Sequence, residues 1–249
     1  MPLNELSLFF PCHNEAENLE ALVADALAAL PSLATTYEVI LVDDGSRDAT
    51  AVVAEHLVQR HPGVVRLVRH AVNRGYGGAL RSGFAAARYA NLAYTDGDRQ
   101  FRIADLGRLV AQAESDGAAV VIGYRIKRAD PLLRTIYASL YRIANGVWFG
   151  LRVRDVDCAA KLFRREALDG IRVRSNGAFF SAELLIRLQI AGVRIAEVGV
   201  PHYPRTAGAP TGARLSVITQ AIRDFWRLRL QIWISQDRAL AEGERLLAD

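Results

Sequence analysis

Three oxygen-bearing side chains occupy alternate positions in one short polar segment of the chain. Asp96 and Asp98 are two residues apart, and Gln100 follows at the same spacing. Carboxylate and amide oxygens are hard donors, which suit Mg²⁺ or Mn²⁺ better than zinc. Such a cation commonly bridges a diphosphate while it keeps several waters. A solvated acidic turn is the simpler explanation of a single Asp-x-Asp pair, so the rest of the chain has to decide between the two.

The elements that must position this segment alternate between short apolar runs and helical patterns. In the first 125 residues each predicted strand is followed by a predicted helix, and the fifth strand closes the series. This order predicts an α/β fold in which a mostly parallel, twisted sheet carries helices on both faces. The predicted strands are Leu6–Phe10, Glu38–Val42, Val64–Val68, Asn91–Tyr94 and Ala118–Ile122. The predicted helices lie near Glu17–Leu30, Asp48–Gln59, Gly77–Tyr89 and Ala104–Ser115.

The pattern changes after Arg125, where helices become longer and more aromatic. We expect this half to extend the same sheet rather than to form an independent domain. One domain is therefore predicted for residues 1–212 and an amphipathic helical tail for residues 213–249. The predicted elements are a helix at Pro131–Gly150, a strand in Val156–Phe163, a helix at Ala178–Ala191, a strand at Val193–Val198 and a long terminal helix.

Four polar loops follow the first four predicted strands. Because right-handed crossovers bring the carboxyl ends of parallel strands to one edge of a sheet, these loops are expected to face a single ligand. Each loop alone is a weak signal, whereas four in order are a strong one. The loops are Pro11–Glu15, Asp43–Asp48, Asn73–Gly78 and the Asp96–Gln100 segment.

The side chains in these loops suit a nucleotide. Glu15 and either Asp43 or Asp44 can accept hydrogen bonds from a base and from ribose hydroxyls. Arg74 is positioned to meet a phosphate, and the glycines around it allow a close approach of the backbone. The alternatives are an Asx turn and helix cap formed by Asp43 and Ser46, and a solvated Arg74. The glycine spacing is not that of a P-loop.

Taken in order, the motifs resemble glycosyltransferase family 2, in particular its dolichyl-phosphate mannose synthase and polyprenyl-phosphate glucosyltransferase branch. The resemblance extends to about residue 212 and implies a GT-A type fold. The motifs are Pro11-x-x-Asn14-Glu15, Asp43-Asp44-x-Ser46-x-Asp48, the Asn73–Gly78 loop, Asp96-x-Asp98-x-Gln100, Asp155-x-x-Cys158-x-x-Lys161-x-Phe163, Glu183-Leu184 and Pro201-x-x-Tyr203-x-Arg205-x-x-Gly208.

The resemblance assigns roles to individual residues. It implies nucleotide contacts for Pro11, His13, Glu15 and Asp44, to which the residue chemistry adds Asp43, Arg74 and Asp96. It implies metal and diphosphate contacts for Asp96, Asp98 and Gln100. It implies acceptor-phosphate contacts for Arg125, Arg134 and Arg205. The expected catalytic set is Asp98, Arg125 and Glu183.

The implied reaction is the inverting, Mg²⁺- or Mn²⁺-dependent transfer of a hexose from a UDP- or GDP-sugar to a polyprenyl phosphate. Two alternatives stay open. A soluble hydroxyl acceptor would require a general base, for which Glu183 or Asp157 is the candidate. A catalytically silent nucleotide-sugar-binding subunit is disfavoured by the intact Asp96, Asp98 and Gln100 set. No nucleic-acid partner is expected.

Composition and apolar patterning bear on where the protein works. Cys12 and Cys158 form no C-x-x-C pattern, which indicates a reducing, cytoplasmic setting. Neither a signal peptide nor a transmembrane segment is predicted. The segments Pro131–Gly150 and Leu215–Ser235 mix apolar, aromatic and arginine residues, as helices at a membrane surface do. Core helices or a homodimer interface are the alternatives.

Overall fold

The computed structural model describes residues 2–126, 132–205 and 215–246, with side chains throughout except at 132–136 and 235–246. Within these ranges seven strands form one sheet, flanked by seven α-helices. The strands are β1 (Leu3–Cys12), β2 (Ala34–Asp43), β3 (Val65–Arg69), β4 (Asn91–Tyr94), β5 (Val120–Arg125), β6 (Lys161–Arg164) and β7 (Ile195–Val200). The helices are α1 (Ala16–Leu33), α2 (Thr50–Arg60), α3 (Tyr76–Ala86), α4 (Leu106–Asp116), α5 (Leu132–Phe149), α6 (Phe180–Ile190) and α7 (Leu215–Leu246).

The strand order β3-β2-β1-β4-β6-β5-β7 confirms the predicted α/β architecture. Strands β1 to β4 are mutually parallel, and β5 is parallel to β7. Cys12 at the end of β1 lies opposite Asp43, which lies opposite Arg69 at the end of β3. The first three polar loops therefore leave the sheet at one edge. The fourth joins them because β4 runs parallel to β1. We call this edge the loop edge.

The strand predicted in Val156–Phe163 is shorter than expected and lies antiparallel to both of its neighbours, β4 and β5. Residues 156–160 form a turn and loop instead. The buried Lys161 ammonium donates hydrogen bonds to the carbonyl oxygens of Val156 and Cys158, at 3.2 Å for Val156. Those carbonyls are therefore satisfied without a strand partner, and the chain stays out of the sheet until Lys161.

Aromatic side chains fill the core beneath the loop edge. Phe84 of α3 lies 5.0 Å from Phe9 and 5.4 Å from Phe163, measured between ring centroids. Tyr94, the last residue of β4, stacks on Phe9 at 5.2 Å. Edge-to-face and offset-stacked pairs of this kind add to the free energy of burial. This packing fixes the end of β4, from which the Asp96–Gln100 segment begins.

Helices α5 and α7 pack against each other through aromatic residues. Phe149 of α5 and Phe225 of α7 lie 4.8 Å apart, and Trp148 lies 5.0 Å from Trp226. None of the helices within the described residues combines the length and the unbroken apolar character needed to cross a bilayer.

Candidate functional site

The first two loops at the loop edge are tied together by backbone-to-side-chain hydrogen bonds. The Asn14 backbone N–H donates to Ser46 Oγ at 2.9 Å, and the Arg47 N–H donates to Asn14 Oδ1 at 2.8 Å. Asn14 has a φ of 57°, a left-handed conformation that asparagine tolerates better than most residues. The Ser46 N–H donates to Asp43 Oδ1 at 3.0 Å. Asp43 and Ser46 therefore form an Asx turn, which is the alternative to a nucleotide contact. The Ser46 hydroxyl accepts a hydrogen bond from the Asn14 N–H and does not cap α2.

Asp44 is held by the loop after the neighbouring strand. Its Oδ1 accepts a hydrogen bond from His70 Nδ1 at 2.6 Å and one from the Arg74 backbone N–H at 2.8 Å. His70 is buried, and its second ring nitrogen lies 2.8 Å from Ser82 Oγ. His13 and Asn73 approach the Asp44 carbonyl at 3.1 and 3.2 Å. The structure therefore brings His13, Asn73 and Arg74 of the predicted polar loops to Asp44, together with His70, which lies outside those loops.

Arg74 and Pro11 flank this group. The Arg74 side chain is exposed, and its Cβ lies 2.7 Å from the position that a Cβ on Gly78 would occupy. Gly78 therefore allows the loop to fold back on itself. Pro11 is half-buried in β1 opposite Val42. Their nucleotide contacts stay predictions.

The acidic segment after β4 is held on both sides. Tyr76, the first residue of α3, donates from its hydroxyl to Asp96 Oδ1 at 2.9 Å. Asp98 is buried, and its Oδ1 accepts the Gln100 backbone N–H at 3.1 Å. Burial, reinforced by repulsion from Asp98, raises the pKa of Asp96 to about 7. The repulsion between the two carboxylates favours a cation at this position.

A segment more than one hundred residues away completes this position. The Arg205 guanidinium donates to Asp98 Oδ2 at 2.7 Å and lies 3.5 Å from Glu15 Oε1. Tyr203 and Gln100 exchange two hydrogen bonds, Tyr203 N–H to Gln100 O at 3.0 Å and Gln100 Nε2 to Tyr203 O at 3.2 Å. Arg205 therefore bridges the first loop and the acidic segment.

Glu15 faces the same position from the first loop, directly before α1. Its Oε2 accepts a hydrogen bond from Asn18 Nδ2 at 2.6 Å. Burial raises the pKa of Glu15 against the opposing effects of Asn18 and Arg205. The Glu15 backbone N–H donates to Thr50 Oγ1 at 2.9 Å, which fixes the start of α1 against the start of α2.

Arg125 lies at the end of β5, where it forms a two-pronged ion pair with Asp155. Its Nε and Nη2 donate to the two carboxylate oxygens at 2.7 and 2.8 Å, and both side chains are buried. Burial opposes the charged form of Arg125, but the hydrogen bonds and the charge of Asp155 raise its pKa overall. The acceptor-phosphate role of Arg125 stays a prediction. The predicted Arg134 side chain lies outside the described residues.

Glu183 is buried in α6, but its carboxylate is fully occupied by protein groups. Oε2 accepts from the Ser175 N–H at 2.9 Å and from the Ser175 hydroxyl, while Oε1 accepts from the Arg174 N–H at 3.1 Å and from Arg187 Nε at 2.8 Å. Although burial alone would raise it, these bonds lower the pKa of Glu183. The catalytic role of Glu183 stays a prediction. These contacts do not favour it, because both carboxylate oxygens already accept hydrogen bonds from the protein. They indicate that Glu183 fixes the 173–177 loop.

That loop in turn supports the loop edge. The Gly77 N–H donates to Asn176 O at 2.8 Å, and a Cβ on Gly77 would lie 2.7 Å from Ser175 O. Only glycine therefore fits where the two loops meet. Sequence reasoning missed this support, together with Tyr76 and His70. His70 directly follows β3, and Tyr76 lies in the glycine-rich loop that comes after it. The available signal in the sequence was this position between β3 and α3.

The residues suited to hold a metal are Asp96 and Asp98, with the Gln100 amide beside them. Within the described parts of the chain no group of three or more His, Cys, Asp or Glu residues is arranged to hold a metal ion. The protein thus offers two carboxylates, and a diphosphate and water would have to complete the coordination, as is common for Mg²⁺. This donor set fits a hard divalent cation.

Comparison with known proteins identifies the family of the chain. The sequence model of glycosyl transferase family 2 matches residues 7–172. Dodecaprenyl-phosphate galacturonate synthase of Rhizobium johnstonii is 33% identical over 82% of this chain and 60% of its own length. Human dolichyl-phosphate beta-glucosyltransferase is 32% identical over 80% of this chain and 67% of its own length.

Some relatives are considerably longer than the aligned region. The chain spans 60% of the length of the Rhizobium protein and 40% of glycosyltransferase AglD of Haloferax volcanii, to which it is 31% identical over 96% of this chain.

Solved structures share the fold. Glucosyl-3-phosphoglycerate synthase of Mycobacterium tuberculosis, crystallised with Mn²⁺, UDP and phosphoglyceric acid, superposes with a TM-score of 0.70. The match covers 91% of this chain and 78% of that protein at 19% identity, and shows a common GT-A fold. With the family model matching two thirds of its residues, the chain belongs to glycosyl transferase family 2.

Proposed function

We propose that the protein is a divalent-metal-dependent, inverting glycosyltransferase that moves a hexose from a nucleotide diphosphate sugar to a polyprenyl phosphate. The observation that carries this proposal is the convergence of four polar loops and Arg205 on one negatively charged position at the loop edge. The names of the Rhizobium and human relatives support the lipid-phosphate acceptor.

The donor nucleotide would bind along the first three loops. Asp44 is buried and held by His70 and the Arg74 N–H, so little conformational entropy remains to be lost when a ribose or base binds. His13 and Glu15 border the same region from the loop after β1. Arg74, exposed at the rim, would reach a phosphate.

Asp96, Asp98 and Gln100 would hold the cation beside the donor diphosphate. A divalent ion there neutralises the charge that develops on the diphosphate as the glycosidic bond breaks. Arg205 pairs with Asp98 and Glu15 in this structure. It can exchange these carboxylates for phosphate oxygens, because arginine binds both kinds of group with the same planar fork.

The acceptor phosphate would lie near Arg125, with Arg134 and Arg205 as its predicted partners. A phosphate ester with a second pKa of about 6 is largely doubly ionised at neutral pH and needs no general base. The full occupation of Glu183 by Arg174, Ser175 and Arg187 is consistent with a reaction of this kind. A soluble hydroxyl acceptor would need a base, which Glu183 in this arrangement supplies poorly.

A lipid acceptor also requires contact with a membrane, and one face of the protein suits it. Apolar side chains are exposed along α5 and α7, which adjoin through Trp148 and Trp226. We call this surface the α5–α7 face and propose that it attaches peripherally to the cytoplasmic side of a membrane. The exposed residues are Tyr137, Leu140, Ile143, Val147 and Trp148 on α5 and Leu215, Ile218, Ile222, Trp226, Leu230, Trp233 and Ile234 on α7.

The test is a transfer assay across UDP- and GDP-hexoses with Mn²⁺ or Mg²⁺, with and without a short-chain polyprenyl phosphate. We expect product only with the lipid phosphate, and loss of metal by chelation should abolish it. Asp98→Ala should reduce turnover on the order of a thousandfold. Asp169→Ala removes an exposed carboxylate from a distant turn and should keep full activity.

Two outcomes would contradict the proposal in different ways. Unchanged turnover in Asp98→Ala would remove the metal assignment. Equal transfer to a soluble hydroxyl acceptor in the absence of lipid would remove the polyprenyl phosphate assignment while keeping the donor chemistry.

A further inference from the structure

Two cavities lie beside α5, outside the residues to which the donor is assigned. Their volumes are about 160 and 360 Å³, and Arg142 and Arg154 line both of them. Ser139 and Tyr124 contribute to the smaller cavity, and Ile143 and Arg152 to the larger. Ser139 and Ile143 are four residues apart in α5, so they lie on the same side of that helix.

The charge of these cavities is strongly positive. Four arginines line them, against two carboxylates, Asp155 and Glu197. Asp155 forms the two-pronged pair with Arg125, and Glu197 Oε1 accepts the Arg154 backbone N–H at 2.6 Å. Among the residues that the structure describes, Arg142, Arg152 and Arg154 form no salt bridge. Glu197 offsets only part of the charge of these three arginines, and a bound anion would reduce the repulsion that remains between them.

One of these arginines, Arg154, is also restrained by a neighbouring aromatic ring. Leu151 and Val153 are buried, so the alternate residues Arg152 and Arg154 lie on the outer side of the same segment. The Arg154 guanidinium stacks over the Tyr124 ring at 4.6 Å. Stacking of this kind restricts the guanidinium and leaves its edge N–H groups available to an acceptor. A donor restrained in this way binds an anion with a smaller loss of entropy.

We infer that Arg142, Arg152 and Arg154 form a phosphate-binding site, separate from the residues assigned to the donor and bordering Arg125. A planar arginine fork matches the oxygens of a phosphate, and three forks on two facing elements can surround it. The exposed Ile143 in the rim joins the site to the α5–α7 face. The phosphate therefore belongs either to the headgroup of a membrane lipid or to a soluble phosphorylated molecule.

The first experiment measures binding of inorganic phosphate by isothermal titration calorimetry, with no nucleotide, metal or polyprenyl phosphate present. The variant is Arg142→Gln combined with Arg154→Gln. Its matched control is Arg60→Gln combined with Arg164→Gln, which removes the same charge from exposed positions elsewhere. We expect the affinity to fall on the order of tenfold or more in the test variant, since charge-assisted hydrogen bonds are lost. The control should bind as the wild type does.

The second experiment distinguishes the two sources of the phosphate. Flotation is compared between vesicles of phosphatidylcholine alone and vesicles that also carry phosphatidic acid, whose headgroup is a phosphate monoester. A gain with phosphatidic acid that the test variant loses, and that millimolar inorganic phosphate does not reverse, assigns the site to a lipid headgroup. A gain that inorganic phosphate reverses, or phosphate binding with no such gain, assigns it to a soluble phosphate ligand.

The inference is overturned if the test variant binds inorganic phosphate and phosphatidic acid vesicles as the wild type does, or if the charge-matched control loses as much. Because binding is measured without donor and acceptor, these results are independent of whether sugar transfer occurs. Arg154→Lys is a further variant, since it keeps the charge but not the fork. It should recover only part of the lost affinity.

Discussion

The loop edge and the α5–α7 face differ in whether their side chains have partners within the chain. At the loop edge Asp44, Asp98 and Glu15 each have protein partners, and even distant Arg205 returns to supply one. On the α5–α7 face large apolar side chains are exposed, for example Ile222 and Leu230 at 53% and 54%. Likewise, within the described residues no salt bridge is formed by Arg142, Arg152 or Arg154.

This difference teaches which ligand each region suits. A small polar ligand gains affinity when its site is already fixed by internal hydrogen bonds, because less order has to be created on binding. A large surface such as a membrane is met by groups that have no internal partner. The predictions below test whether the loop edge really depends on its internal partners and whether the α5–α7 face really lacks them.

The largest effect on stability is expected for Glu183→Gln, which removes the carboxylate that fixes the 173–177 loop. The glutamine would place an N–H₂ group against N–H donors and leave Arg187 without its counterion. We expect the free energy of unfolding to fall by about 3 kcal/mol. Transfer by the folded fraction should stay within a few-fold of the wild type, because the residue supports a loop. Urea unfolding and kcat for the folded fraction measure both effects.

The same variant should alter the dependence of stability on pH. Since the folded-state pKa of Glu183 is lowered, its contribution is complete above the unfolded value of about 4.3 and is lost as pH falls below it. Glu183→Gln should therefore lose stability less steeply in acid than the wild type does. A rate loss of a hundredfold or more in fully folded protein would instead support Glu183 as a general base.

The contrast with Glu183 shows what the sequence could and could not predict. Spacing and strand ends were sufficient for the loop edge, because parallel β–α units leave little freedom in where each loop lies. The partners of Glu183 could not be inferred, since Ser175 belongs to a loop without periodicity. Arg205 was expected at the acceptor phosphate, but sequence spacing alone gave no indication of its pairing with Asp98 and Glu15.

Tyr76→Phe should produce an intermediate effect confined to the acidic segment. The substitution removes the hydroxyl that donates to Asp96 Oδ1 and keeps the ring. Loss of one hydrogen bond of about 1 kcal/mol should weaken Mn²⁺ binding roughly fivefold. Titration followed by electron paramagnetic resonance, with UDP present, measures this directly. Tyr89→Phe is the control. Unchanged Mn²⁺ affinity in Tyr76→Phe would show that Asp96 is positioned without it, or is not a ligand.

The smallest change in stability is expected on the α5–α7 face, for Ile222→Ser combined with Leu230→Ser. Both side chains are half exposed, so the free energy of unfolding should fall by only about 1 kcal/mol, mostly because serine has a lower helix propensity. Affinity for phosphatidylcholine vesicles should nevertheless fall on the order of tenfold, because apolar area that would enter the membrane is lost. Val52→Ser combined with Ile190→Ser alters equally exposed residues elsewhere and should leave vesicle binding unchanged.

Equal vesicle binding by the wild type and both double variants would contradict membrane attachment through the α5–α7 face. If the first pair instead converted a dimer into a monomer in sedimentation, the exposed groups would belong to an interface between two copies of the chain.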